Sequence, residues 1–150
     1  MAGDSPFIKG FDIEVSSEEE GLKGSWYAAT VLRGVSKKNK IFLEYKTLLT
    51  EGTTKPLREF VDVINVRPIP PRDVERVEYE ISDEVDAFHD DGWWEGIVTK
   101  VLGGFRYVLY FRRSREEIEF GAKDLRLHRE WVDGDWVPPL EEVLSQKVEV

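Results

Sequence analysis

The chain has 150 residues, 41% hydrophobic and 12% aromatic, which supports packed cores and is too apolar for a disordered chain despite 34% charged residues. It contains no cysteine, which excludes disulfides, cysteine-based zinc sites and thiol catalysis. A formal net charge of −9 disfavours general binding to a duplex phosphate backbone and favours a cationic partner.

No run approaches the roughly 18 apolar residues of a membrane span. The opening MAGDSPFIKG lacks the apolar core of a secretory signal. In chain order, FDIEV (11–15), WYAATVL (26–32), KIFLEY (40–45) and FVDVINVRPI (60–69) read as strands, being rich in β-branched and aromatic residues. DEVDAF (83–88), WWEGIVTKVL (93–102), FRYVLYF (105–111), EEIEF (116–120) and DLRLHREW (124–131) follow in the same style. Gly, Asn, Lys and acid clusters between them read as turns. PPLEEVLSQKVEV at the end, 138–150, is a tail or a short helix opened by Pro138 and Pro139.

The chain repeats itself. GSWYAATVL (24–32) and GWWEGIVTKV (92–101) both set a Gly or Gly-Ser before an aromatic pair, then small residues, then a β-branched strand. A polar strand and an acidic loop precede each, DIEVSSEEEGLK in one and DEVDAFHDDG in the other. The prolines of RPIPPRDVER (67–76) cannot sit inside a central strand and mark the junction. Two copies of a five-strand unit, 8–71 and 77–137, fill most of the chain. Units of about 60 residues curl into small barrels with thin cores, so a tandem with a fixed interface is expected. The competing topology is one larger β-sandwich.

DIEVSSEEEGLKGSWYAATVL and DEVDAFHDDGWWEGIV resemble the plant Agenet domain, a Tudor-like member of the Royal group. The matching features are the polar first strand (Val15, Val85), the acidic turn, the Gly, the aromatic pair and the small-residue second strand. The resemblance implies an all-β chain of two tandem Tudor-like (SH3-like) five-stranded barrels packed together. It is similar in particular to plant heterochromatin proteins with tandem Agenet pairs. For these it implies a non-enzymatic reader of the histone H3 N-terminal tail methylated at lysine 9, foremost H3K9me2, acting in gene silencing in the nucleus. It also implies a monomeric fragment of a larger multi-Agenet protein. No cofactor or metal is expected.

A methylated ammonium is a poorly hydrated cation, and aromatic faces hold it through their quadrupoles. A rim carboxylate accepts any remaining N–H. Copy two offers Phe88 and Trp94 on either side of the HDDG turn, where Tudor-like barrels carry two cage walls. The third wall is Tyr110 or Phe111. Leu109 marks Tyr107, Leu109 and Phe111 as the core set, which favours Tyr110. Trp93 is then the inward member of the tryptophan pair and Trp94 the outward one. Asp90 or Asp91 supplies the rim acid.

Copy one has SSEEE at this place, with Ser17 where Phe88 stands in copy two; Phe7 or Phe11 is a possible substitute wall. Trp26, Tyr27 and Tyr45, with Glu14, Glu18, Glu19, Glu20 and Glu44, are expected to hold unmodified histone-tail residues beside Asp91 of copy two, in an acidic groove between the copies. HDD (89–91) is a poor metal site, since the only other histidine is His128. KKNK (37–40) and RRSR (112–115) read as basic hairpin turns, RRSR being the better candidate for a nucleic-acid contact. Neither histidine has a nucleophile partner, and no phosphate loop or dinucleotide fingerprint occurs, so a binding module is expected. The rival readings are an RNA or ribonucleoprotein module, which the acidic charge makes unlikely, and a scaffold for an unmethylated motif.

Overall fold

The computed structural model describes residues 7–17, 19, 24–72 and 78–139. Two compact units emerge, one of Met1–Ile69 with His89–Trp93 and the other of Pro70–Phe88 with Trp94–Val150. The architecture is all-β, with two Tudor-like, SH3-like five-stranded arrangements.

Copy one runs through β1 (Asp12–Ser16), β2 (Ser25–Arg33), β3 (Lys40–Leu49), β4 (Pro56–Asp62) and β5 (Val66–Pro68). All neighbouring pairs are antiparallel: β5 to β1, β1 to β2, β2 to β3 and β3 to β4. Alternation explains the core, since successive side chains point to opposite faces. Tyr27, Ala29 and Val31 of β2 face inward with Ile41, Leu43 and Tyr45 of β3 and Ile13 and Val15 of β1. Phe7 also lies in this core, whereas Phe11 is 39% exposed.

Copy two repeats the plan with β6 (Glu84–His89), β7 (Gly92–Gly103), β8 (Arg106–Phe111), β9 (Glu116–Gly121) and β10 (Leu125–Leu127). Its core gathers Tyr79, Val85, Ala87, Val98, Tyr107, Leu109, Phe111, Phe120, Ala122 and Leu125. Tyr79 stacks edge-on against Tyr107 and donates its hydroxyl to the Leu125 carbonyl at 3.3 Å.

Two of the expected strands are broken. The run 60–69 ends β4, steps through a 3-10 turn at Val63–Asn65 and restarts as β5. The run 124–131 likewise divides after the 3-10 turn Ala122–Asp124 into β10 and a separate strand β11 (Glu130–Val132). The turn redirects the chain so that the last short strand of each copy can pair with its first. β11 forms a hairpin with β12 (Asp135–Val137), unforeseen in the sequence reading although Asp133-Gly134 is a strong two-residue hairpin signal. Both turn residues have the positive φ that such a turn needs, 50° and 85°. Trp131 and Trp136 face each other across it with ring centres 5.0 Å apart. Of the proposed C-terminal tail or helix, residues 140–150 lie outside the described residues.

Candidate functional site

The first and last strands of each copy are joined by a buried acid–arginine pair. In copy one, Glu14 on β1 stands opposite Arg67 on β5, and Arg67 donates to Glu14 Oε1 from Nε at 3.2 Å and Nη2 at 2.9 Å. In copy two, Asp86 on β6 stands opposite Arg126 on β10, whose Nε donates to Oδ2 at 3.1 Å. All four residues are buried. Glu14, expected as a tail-binding acid, is thus committed inside the fold with 1% exposure. A carboxylate that has already left water is held by its guanidinium partner.

These pairs align the two copies residue by residue. With Glu14 matched to Asp86, the place of Phe88 falls on Ser16, not Ser17. In the second strands, Val31 opposes Leu43 as Val98 opposes Leu109. Counting back, Gly96 matches Ala29, Trp94 matches Tyr27 and Trp93 matches Trp26.

That alignment reverses the expected roles of the tryptophan pair. Trp94 shares the inward side of β7 with buried Gly96 and Val98, and it packs against the second core. A Cβ built on Gly96 would meet Phe111 Cε1 at 3.1 Å and Leu109 Cδ2 at 3.3 Å, so Phe111 lies over the inward side of β7. Tyr110 stands opposite Ile97 and Glu117 on the outward side of β8, away from the side that Trp94 occupies. Phe111, not Tyr110, therefore shares a side with Trp94, whereas Phe88, next to inward Ala87, lies on the outward side of β6.

The turn between β6 and β7 is a two-residue hairpin turn. Asp90 and Asp91 both have positive φ, 49° and 67°, a conformation that Asp tolerates better than most residues. The Asp90 side chain is 78% exposed and lies 3.3 Å from His89 Nε2. Phe88, just before the turn, is 39% exposed, and Trp94, just after it, is half-buried.

The remaining copy-one residues have partners within that copy. Tyr27 and Tyr45 are 5% and 6% exposed and belong to the core. Tyr45 donates its hydroxyl to Glu59 Oε2 at 2.6 Å; burial first, and the neighbouring carboxylate second, raise its pKa. The ring of Trp26 is covered by the Arg67 guanidinium, whose carbon is 3.7 Å from the ring centre. Glu44 pairs with Arg58 at 2.7 Å on the outer side of β3 and β4. Glu18 and Glu20 lie outside the described residues.

One charged cluster was missed. His128 Nδ1 is 2.8 Å from Asp86 Oδ1, and its Nε2 contacts the carboxylates of Glu130 and, at 3.5 Å, Glu95. Burial opposes charge on the ring, but the hydrogen bonds and charges of Asp86, Glu130 and Glu95 outweigh it and raise its pKa to about 9. The ring is therefore an imidazolium at neutral pH. H-R-E at 128–130 was visible in the sequence, but its partners Asp86 and Glu95 are far away along the chain.

The Agenet domain model matches residues 10–71 and 82–142. Protein AGENET DOMAIN (AGD)-CONTAINING P1 of Arabidopsis thaliana is 42% identical over 134 residues, covering 89% of this chain and 26% of that protein. DUF724 domain-containing protein 3 of the same plant is 37% identical over 131 residues, 85% of this chain and 19% of that protein. The chain thus spans about a quarter or less of the length of these relatives. Among solved structures, Arabidopsis thaliana AGDP1 AGD34 superposes with a TM-score of 0.82 at 42% identity, covering 87% of this chain and 88% of that one. The ADCP1 tandem Agenet domain 3-4 gives 0.80 at 39% identity, covering 93% and 92%. Two matched domains and close superposition on two tandem structures together place this chain in the Agenet domain family, as a tandem pair.

Proposed function

We propose that this tandem is a chromatin reader for the histone H3 N-terminal tail, with a methylated lysine, dimethylated lysine 9 in first place, held in copy two. Its setting would be heterochromatin and gene silencing in the nucleus. The observation that carries the reading is the asymmetry of the two first turns. Copy two flanks its turn with Phe88, 39% exposed, and half-buried Trp94, whereas copy one has Ser16 and a buried Tyr27 at the matching places. An aromatic ring left in reach of solvent at a turn of two aspartates suits an alkylated cation.

In this reading Phe88 is the solvent-facing wall, Trp94 stands at the other end of the turn and Asp90 is the rim carboxylate. Asp91 and the net charge of −9 attract the basic tail and disfavour acidic partners. One cage and a few charge-assisted hydrogen bonds, less the cost of ordering a flexible tail, correspond to micromolar affinity, about −8 kcal/mol.

The test is calorimetric titration with H3 tail peptides unmodified or mono-, di- and trimethylated at lysine 9. The expected result is tightest binding to the dimethylated peptide, with Phe88→Ala reducing that preference about tenfold at little cost in melting temperature. Equal affinity for methylated and unmodified peptides would leave a charge-driven tail binder and remove the cage.

A further inference from the structure

Copy one carries a second aromatic surface, of opposite electrostatic sign, on the outer side of β2, β3 and β4. Phe42 on β3 stands directly opposite Phe60 on β4, with ring centres 4.6 Å apart. Phe42 also pairs in register with Arg33 on β2, whose guanidinium carbon lies 5.3 Å from the Phe42 ring centre. Phe60 is 58% exposed. Neither ring serves the core, which takes Ile41 and Leu43 from the alternate positions of β3.

The adjoining hairpin turn is basic. RGVSKKNK (33–40) holds Arg33, Lys37, Lys38 and Lys40 and no acid, in a chain of net charge −9. The turn is tight: the Ser36 hydroxyl accepts from the backbone N–H groups of Lys38 and Lys40, both at 3.2 Å, and Asn39 takes the positive φ of 59°. The carboxylate beside Lys40 is Asp62, at 3.9 Å. Copy two lacks the feature. Its register equivalents of Phe42 and Phe60 are Val108 and Glu119, and Glu119 is tied to Arg106. A pair of stacked rings, Phe60 exposed and Phe42 half-buried, beside four cations in one copy and absent from the other, is not required by the fold.

We propose that Phe60, Phe42, Arg33 and the Lys37–Lys38 turn form a binding surface for single-stranded nucleic acid. A base stacks on the open face of Phe60, and the cations meet the flanking phosphates. Phenylalanine offers no hydrogen-bond donor, so the stacking is tolerant of sequence. A cationic tail is disfavoured by the four positive charges. An acidic peptide would use the lysines but has no use for the rings. The overall negative charge does not forbid the contact, because at about 0.1 M salt fields fade over roughly 10 Å and the patch acts locally.

The test uses the intact chain and a fluorescein-labelled mixed-sequence RNA of about 12 nucleotides, followed by anisotropy at low salt. The matching single-stranded DNA, the RNA duplex and a poly-glutamate peptide serve as further arms. The expected result is binding of both single strands on the order of 10 µM, with log affinity falling by about 2 per decade of salt. Phe60→Ala should weaken it about tenfold at unchanged melting temperature, and Phe60→Trp should retain it. Lys37→Glu with Lys38→Glu should weaken it and make the salt slope shallower by about 1. None of these variants should alter titration of the methylated H3 peptide, so failure here and failure of the reader assignment are read separately. The proposal is overturned if no single strand binds by about 1 mM, if Phe60→Ala leaves RNA affinity unchanged, or if the duplex or poly-glutamate binds as tightly as the single strand.

Discussion

Arg67 rests its guanidinium on the ring of Trp26, 3.7 Å from its centre, while the same group donates twice to the buried Glu14 carboxylate. One arginine thus joins the first and last strands of copy one and occupies an aromatic face that the sequence alone offered to a ligand. Arg67→Met should be strongly destabilising, because it strips a buried carboxylate of its guanidinium partner. The expected loss is about 3–5 kcal/mol, measured by chemical denaturation. Glu14→Gln together with Arg67→Met should cost less than Arg67→Met alone, since the buried charge is then gone.

His128 predicts a pH dependence. Its folded-state pKa of about 9 lies above its ordinary value of 6.5. The imidazolium's contribution is therefore fully present below pH 6.5 and is lost as pH rises through 9. Its size is on the order of 3 kcal/mol. Denaturation midpoints measured at pH 6 and above pH 9 should fall across that window. His128→Gln should flatten the dependence and lower the midpoint at pH 6.

Gly96 is a tight place for a methyl group. An added Cβ would come within 3.1 Å of Phe111 and 3.3 Å of Leu109. The matching position in copy one is Ala29, opposite Tyr45, where a Cβ is already accommodated. Gly96→Ala is expected to cost about 1–3 kcal/mol through overpacking, read as a lowered melting temperature. Ala29→Gly should cost about 1 kcal/mol, for loss of a small buried group and gain of backbone freedom.

The three aromatics considered as cage walls should separate cleanly. Trp94→Ala should cost about 3 kcal/mol or more of stability, because the ring packs on the second core. Phe88→Ala should cost little stability yet reduce preference for the methylated peptide on the order of tenfold. Tyr110→Ala should leave that preference intact, since Tyr110 stands opposite Ile97 and Glu117, further along the sheet from the turn that follows Phe88. Thermal melts paired with peptide titrations of each variant check all three outcomes. A Tyr110→Ala protein that loses methyl preference while keeping its melting temperature would make Tyr110 a wall of the site.

Local pattern was sufficient for much of this chain. Alternation in YVLYF identified Tyr107, Leu109 and Phe111 as inward, and the recurrence of an aromatic pair before a small-residue strand revealed the tandem. Both follow from the two-residue period of a strand and from the need of each copy to bury the same positions. Long-range pairing had to decide the rest. Whether Trp93 or Trp94 faces inward depends on register against β8, and a one-residue change of register exchanges every side chain between faces. Whether Glu14 meets a ligand or Arg67 depends on a partner 53 positions along the chain, and the same is true of the His128 cluster, which draws Asp86 from 42 positions away. Composition marks such residues as charged and ready to pair, while only the closure of the last strand on the first determines which partner each one finds.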